Sequence, residues 1–248
     1  MQEIVYHENY RLEESYWWFI ARSTILLKII NKVCKFDNNA NILDAGCGTG
    51  GFAEKMSAHA NVICLDTSAI ALEYCHKRGL KDTHQCILSE FDKSNRRIDG
   101  ITMLDVIEHI EDDYGVVRDA YSLVDKGGYL IATVPAYQWL WCKHDEIHMH
   151  YRRYNMQSIS KVIESAGFKI RYSSYFNTFL FLPAILKRFL DKLTGADKTN
   201  TNPIEPVPDI LNKWFKNIFG WESKFLPKIK FPFGLSIVII AEKTDTKS

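Results

Sequence analysis

A glycine run between a short apolar strand and a helix constrains this chain more than any other feature. Residues 41–51 read Asn-Ile-Leu-Asp-Ala-Gly-Cys-Gly-Thr-Gly-Gly. Glycines at a strand-to-helix turn let a ligand approach the backbone closely, and the following helix offers unpaired N–H groups. Gly46, Gly48 and Gly51 satisfy G-x-G-x-x-G, and Asp66 ends a second strand-like segment, Asn61 to Asp66, where a carboxylate would hold ribose hydroxyls. So far the pattern admits a dinucleotide site.

Asp44 separates the alternatives. It stands at the strand end, two residues before Gly46. A carboxylate there repels a pyrophosphate; like charges about 4 Å apart in a partly desolvated cleft cost several kcal/mol. It suits instead a ligand bearing ammonium and sulfonium charges, S-adenosylmethionine. The plainer reading, in which Asp44 only caps the turn, leaves the joint occurrence of acid, glycine loop and second-strand acid unexplained.

The rest of the chain alternates. Strand-like segments at 41–44, 61–66, 83–88, 98–105, 129–134, 168–176 and 235–242 are separated by helical segments at 52–59, 68–78, 113–124 and 158–166. This predicts a mostly parallel sheet with helices on both faces, in one domain over 1–248. Residues 1–36 form an N-terminal cap: a polar stretch to Glu14, then an amphipathic helix over 16–34. Residues 177–234 break the alternation. They hold six of the seven prolines and nine Lys or Arg against five Asp or Glu. An insertion that long reads as a lid or substrate-binding region.

Composition excludes little but usefully. The net charge of +1 gives no global bias toward nucleic acid, and no nucleic-acid partner is expected. The six cysteines show no C-x-x-C spacing and read as buried free thiols of a reducing compartment. The N-terminal stretch lacks the basic and apolar regions of a signal peptide, and the longest apolar run, Tyr175 to Leu186, is too short to span a bilayer. A cytoplasmic protein is expected.

The segment Leu43-Asp-Ala-Gly-Cys-Gly-Thr-Gly50, with Leu104-Asp-Val-Ile-Glu-His-Ile110 and Lys126-Gly-Gly-Tyr-Leu-Ile131, resembles the class I S-adenosylmethionine-dependent methyltransferases. The resemblance covers about residues 40–175 and the final strand. It implies a seven-stranded Rossmann-like sheet with the last strand antiparallel and a helical insertion before that strand. It also implies S-adenosylmethionine as cofactor. By position, the Gly46, Cys47 and Gly48 backbone would meet the methionine part, with Asp44 near its amino group. Asp66 would grip the ribose with Thr67 beside it, Ile87 would pack on the adenine ring, and Leu104 and Asp105 would face the methionine end.

Methyl transfer is an in-line displacement, so positioning supplies much of the rate and a base matters mainly for a hydroxyl acceptor. His109 is a candidate base just past the fourth strand. The spacing Asp105-x-x-Glu108-His109 resembles a metal-binding pattern in ubiquinone-biosynthesis O-methyltransferases and small-RNA terminal 2′-O-methyltransferases, with Asp105 in place of the usual first Glu; no metal is assigned. A second cluster holds His144, Asp145, His148, His150, Arg152, Arg153 and Tyr154. His150 is a second candidate base, and Arg152 and Arg153 suit a carboxylate or phosphate. Alternatively, Tyr154 and one arginine only tie the loop down. Trp17 is placed over the cleft. The apolar stretch 176–190 reads as packing, a greasy pocket, a peripheral membrane contact or a dimer contact. The expected activity is methylation of a small-molecule acceptor, at a hydroxyl oxygen and lipid- or glycan-linked. The alternatives are an RNA methyltransferase, a nicotinamide-dependent oxidoreductase and a non-catalytic cofactor-binding protein.

Overall fold

Seven strands, β1 (Asn41–Ala45), β2 (Asn61–Leu65), β3 (Thr83–His84), β4 (Gly100–Leu104), β5 (Tyr129–Pro135), β6 (Lys169–Phe176) and β7 (Ser236–Glu242), form one sheet in the computed structural model, which describes residues 3–194 and 207–244. Their order is β3-β2-β1-β4-β5-β7-β6. The first five pair in parallel, and β7 runs antiparallel between β5 and β6, as the resemblance implies. The chain reverses direction across the sheet between β1 and β4, which leaves a crevice outside their carboxyl ends.

Both faces of the sheet are covered, because side chains alternate along each strand. On β5, Leu130, Ala132 and Val134 enter one core, and Ile131 enters the other. Helices α5 (Asp113–Leu123) and α7 (Met156–Ser165) close the first through Val117, Ala120, Ile159 and Ile163. Helices α2 (Trp17–Val33) and α3 (Gly51–Met56) close the second through Ile25, Ile29, Phe52 and Met56. Helix α4 (Ala69–Lys77) follows β2, with Ser68 capping it by accepting from Ala71 N–H.

Three expectations change. The polar N-terminal stretch contains a helix, α1 (Glu3–Leu12), whose Val5 and Tyr6 are buried and whose Tyr10 stacks on Tyr74 of α4 at 4.2 Å between centroids. The segment after the fifth strand carries a short helix, α6 (Lys143–Ile147). The third strand ends at His84 rather than running to residue 88, because Leu88 turns inward in a tight turn, Leu88–Glu90, and joins the first core.

The insertion folds as α8 (Phe181–Thr194) and α9 (Asp209–Trp221); its residues 195–206 lie outside those described. Phe219 of α9 is fully buried and meets Trp17 of α2 at 5.9 Å. The two ends of the insertion are joined by Glu222, which is fully buried and accepts from the N–H groups of Asn177, Thr178 and Phe179 at 2.7, 2.6 and 2.9 Å. Burial pushes its carboxyl up to about 7 against these three bonds. Glu222→Ala leaves three donors without their acceptor, and a loss of about 3 kcal/mol or more is expected in urea unfolding. Glu222→Gln, which keeps one acceptor oxygen, should lose less. Equal stability of all three proteins would refute this role. No helix among the described residues is long and apolar enough to cross a membrane.

Candidate active site

The carboxyl ends of the central strands open into a cavity of about 1250 Å³. Asp44, Gly46, Cys47, Gly48, Asp66, Thr67, Ile87, Leu104, Asp105, Trp17, His109, His150 and Arg153 all border it. Arg152 and Tyr154 do not. Arg152 pairs with Asp113 at 2.9 Å and donates to Glu111 O at 2.7 Å, while the Tyr154 hydroxyl donates to Asp113 at 2.7 Å. Asp113 thus collects both side chains and ties the loop to α5.

The glycine loop is held from below and open above. The N–H groups of Gly46 and Cys47 donate to Leu65 O at 2.8 and 2.9 Å. Gly46 has φ +73, and a Cβ there would stand 2.7 Å from Val106 Cγ2. Gly48, at φ +55, has nothing within 4 Å of where a Cβ would be. Asp66 braces the loop by accepting from Gly48 N–H at 3.0 Å and Ser68 N–H at 2.9 Å. Burial raises its carboxyl above the usual range despite those bonds. Asp44 is 4% exposed and accepts from Thr102 Oγ1 at 2.5 Å. Burial pushes it up to about 7, with Thr102 and the Arg22 charge opposing.

Two arginines that the sequence does not single out fix the surroundings. Arg78 bonds Glu13, Glu14 and Glu54 at 3.1, 2.8 and 2.8 Å, and donates to Thr49 O at 2.9 Å. Thr49 in turn donates to Glu13 at 2.6 Å, so the corner between α1 and α2 is strapped to the glycine loop. The acids crowded before Tyr16 are the sequence trace of this strap. Arg22 of α2 donates to Asp105 at 2.6 Å and to Thr133 Oγ1 at 3.0 Å. Asp105 has φ +57, an uncommon backbone state for a residue other than glycine, and this pair holds it at the wall of the cavity.

Past β4 the chain gathers acid and imidazole. The rings of His109 and His150 lie 4.6 Å apart between centroids, edge to face. His150 Nδ1 is 2.9 Å from Asp145 Oδ1, which also accepts from Arg153 Nε at 2.7 Å. Burial opposes ionisation of Asp145, but His150 and Arg153 outweigh it and hold the carboxyl well below its usual range. Burial, then the neighbouring His150 and His148, lower His109 to about 4. Glu108 is fully buried, and neither carboxyl oxygen has a hydrogen-bond partner among the described residues. Burial and the nearby Asp105 raise it well above the usual carboxylate range. One ligand atom each from Glu108, His109 and His150 lie within 4.8 Å of one another. Asp145 is the member that sequence alone does not assign, since only the fold brings it to His150.

Residues 19–173 match a family model described as a methyltransferase domain. That is more than half of the chain, which therefore belongs to the class I S-adenosylmethionine-dependent methyltransferases, with S-adenosylmethionine as cofactor. The nicotinamide and non-catalytic alternatives are set aside by that membership. The chain is 28% identical over 127 residues to a ubiquinone biosynthesis O-methyltransferase of Coxiella burnetii, covering 46% of this chain and 54% of that one. It thus spans about half the length of the curated relatives it matches. Among solved structures it is similar to an S-adenosylmethionine-dependent methyltransferase of Thermotoga maritima, with a TM-score of 0.59 and 19% identity over 96% of this chain and 99% of that one. It is also similar to phosphoethanolamine N-methyltransferase 2 of Haemonchus contortus in complex with S-adenosyl-L-methionine, at TM-score 0.54 and 17% identity, covering 89% and 52%. These two likenesses concern the fold; one neighbour methylates nitrogen, so the fold leaves the acceptor atom open.

Proposed function

We propose that the chain methylates a hydroxyl oxygen of a lipid-linked small molecule. The observation that carries the reading is the Glu108, His109 and His150 cluster, which shares one cavity with the glycine loop. The chain fits the cofactor: Gly48 offers open backbone, Asp44 a buried carboxylate and Ile87 an apolar rim side chain that is 49% exposed. When bound, S-adenosylmethionine supplies an electrophilic methyl group. His109, neutral at physiological pH because its imidazolium is disfavoured by burial, accepts the hydroxyl proton at a ring nitrogen. His150 is oriented by Asp145 and crowds His109 from its edge. Arg153 keeps Asp145 ionised and in place. The relatives named as O-methyltransferases support oxygen as the acceptor atom. A divalent cation also fits Glu108, His109 and His150, because the Glu108 oxygens lack partners; there it would lower the pKa of an acceptor hydroxyl.

The acceptor's lipid character rests on the insertion. Leu182, Leu186, Phe189 and Leu193 recur on α8 at three- and four-residue steps and are 60 to 73% exposed. On α9, Ile210, Trp214 and Trp221 are 73, 65 and 60% exposed. Exposed Lys213, Lys224, Lys228 and Lys230 accompany them, with Lys224 over the Trp221 ring at 5.4 Å. Apolar faces interleaved with tryptophan and lysine complement an anionic lipid surface. The other side of α8 contributes Ala184, Arg188 and Asp191 to the cavity wall, which connects that surface with the site.

Labelled methyl from S-adenosylmethionine is expected in the lipid fraction of a cell extract, and the protein should float with phosphatidylglycerol vesicles. Phe189→Ser with Trp214→Ser should reduce flotation at least tenfold, since each large side chain withdrawn from water contributes about 1.5–3 kcal/mol. S-adenosylhomocysteine affinity should not change. Label confined to water-soluble products, or flotation unaffected by the double substitution, would overturn the lipid reading.

A further inference from the structure

Three cysteines that are far apart in sequence meet beneath the glycine loop. Cys47 lies in the loop, Cys64 on β2 and Cys75 on α4, and their sulfurs lie within 4.8 Å of one another. Cys64 and Cys75 are fully buried, while Cys47 is half-buried and borders the cofactor cavity. The Cys47 and Cys75 sulfurs are 3.7 Å apart. Both thiols point at one carbonyl: Cys75 Sγ is 3.5 Å and Cys47 Sγ 3.7 Å from Gly48 O. A Cβ on Gly50 would stand 2.9 Å from Cys75 Sγ. The cluster is thus the floor of the loop that receives the cofactor. Ala53 and Leu80 pack with Cys64 and Cys75, so the surroundings are apolar.

We propose that Cys47, Cys64 and Cys75 form a binding site for a soft d10 cation of the zinc and cadmium class, and that its occupancy weakens cofactor binding. The spacing supports the first half. Metal–thiolate bonds of about 2.3 Å, at tetrahedral angles, put sulfurs roughly 3.8 Å apart, close to the 3.7 Å between Cys47 and Cys75, with Cys64 inside the 4.8 Å that bounds all three. Three sulfur donors in an apolar nest select soft over hard cations. The cavity beside Cys47 leaves a fourth position for water. Charge balances as three thiols and one divalent cation giving a tris-thiolate complex and three protons.

The second half follows from the protons. Ligation removes the S–H groups that face Gly48 O and leaves anionic sulfur against a carbonyl. The Gly48 peptide must then shift, and it is the peptide whose open face the cofactor uses. By linkage, bound cofactor must weaken the cation by the same factor. Nothing in this inference depends on the acceptor or on the histidine cluster, with which the three cysteines share no residue.

The test is a titration of the reduced protein with Cd2+. A sulfur-to-cadmium charge-transfer band should saturate at one equivalent. Cys47→Ser, Cys64→Ser and Cys75→Ser should each abolish it, and a protein carrying Cys34→Ser and Cys86→Ser should keep it. On the unsubstituted protein, 113Cd NMR should report three-sulfur coordination, so the conclusion does not depend on the variants folding. The dissociation constant of S-adenosylhomocysteine should rise at least threefold on loading. Absence of the band at one equivalent, its survival in any of the three variants, or a cadmium signal without three sulfurs would overturn the site. An unchanged S-adenosylhomocysteine constant would overturn the coupling.

Discussion

His109→Ala is expected to lower kcat by about 10²- to 10⁴-fold, the usual contribution of a positioned base, while S-adenosylhomocysteine affinity stays within about twofold. Burial and two neighbouring imidazoles hold His109 near 4, so the wild-type rate should rise through about pH 4 and then plateau. An unperturbed histidine would place that rise near 6.5. The rise at low pH should vanish in the variant, and exogenous imidazole should restore part of the rate at high pH. His150→Ala should also reduce turnover, by removing the side-chain partner of Asp145 Oδ1 and the ring that packs against His109. Initial rates with labelled S-adenosylmethionine measure both. Undiminished turnover in both variants would remove the histidines from the chemistry and leave positioning alone as the source of rate.

What could be read from sequence was whatever is local. Alternating strand and helix signals carry the sheet, because each element declares its own period and its own stops. The glycine loop and Asp66 are legible for the same reason: the turn that needs glycine and the strand that ends in an acid are each contained in a few residues. Long-range pairs are not. Arg22 meets Asp105 across 83 residues, and the partners of Arg78 sit on three elements. The three cysteines have no spacing that signals a cluster; they converge only because β1 and β2 pair in parallel and α4 packs behind them. Direction is equally hidden. His150-Tyr-Arg-Arg-Tyr154 offers two adjacent arginines of the same chemistry, and only the fold turns Arg153 toward the cavity and Arg152 toward Asp113. The polar stretch up to Glu14 reads as solvent-exposed chain, because Glu13 and Glu14 serve a strap whose cation, Arg78, lies more than sixty residues further on.

Asp44→Asn is expected to raise the dissociation constant of S-adenosylmethionine at pH 8 by about 10- to 100-fold, the range for losing a hydrogen bond to a charged group. The substitution keeps the shape of the side chain and an oxygen for Thr102, so the fold should hold. The pH dependence gives the sharper test. In the free protein burial pushes Asp44 up to about 7, against its bond from Thr102 and the charge of Arg22. A ligand carrying ammonium and sulfonium groups favours the carboxylate. Below about pH 7 binding must therefore expel a proton, and affinity should fall roughly tenfold for each further unit of acidity. Above that point it should be flat. Calorimetry in buffers of different ionisation heat should count about one proton released at pH 6 and almost none at pH 8. In Asp44→Asn the slope and the released proton should both disappear. Asp66 is also raised by burial, so Asp66→Asn is the control: it should weaken binding yet keep the Asp44 slope. A wild-type affinity indifferent to pH between 5 and 8 would mean that Asp44 is not the group that senses the ligand's charge. A buried carboxylate that a cation keeps ionised even below pH 7 also explains the choice of cofactor, since a pyrophosphate at the same turn would favour protonated Asp44 and forfeit the attraction.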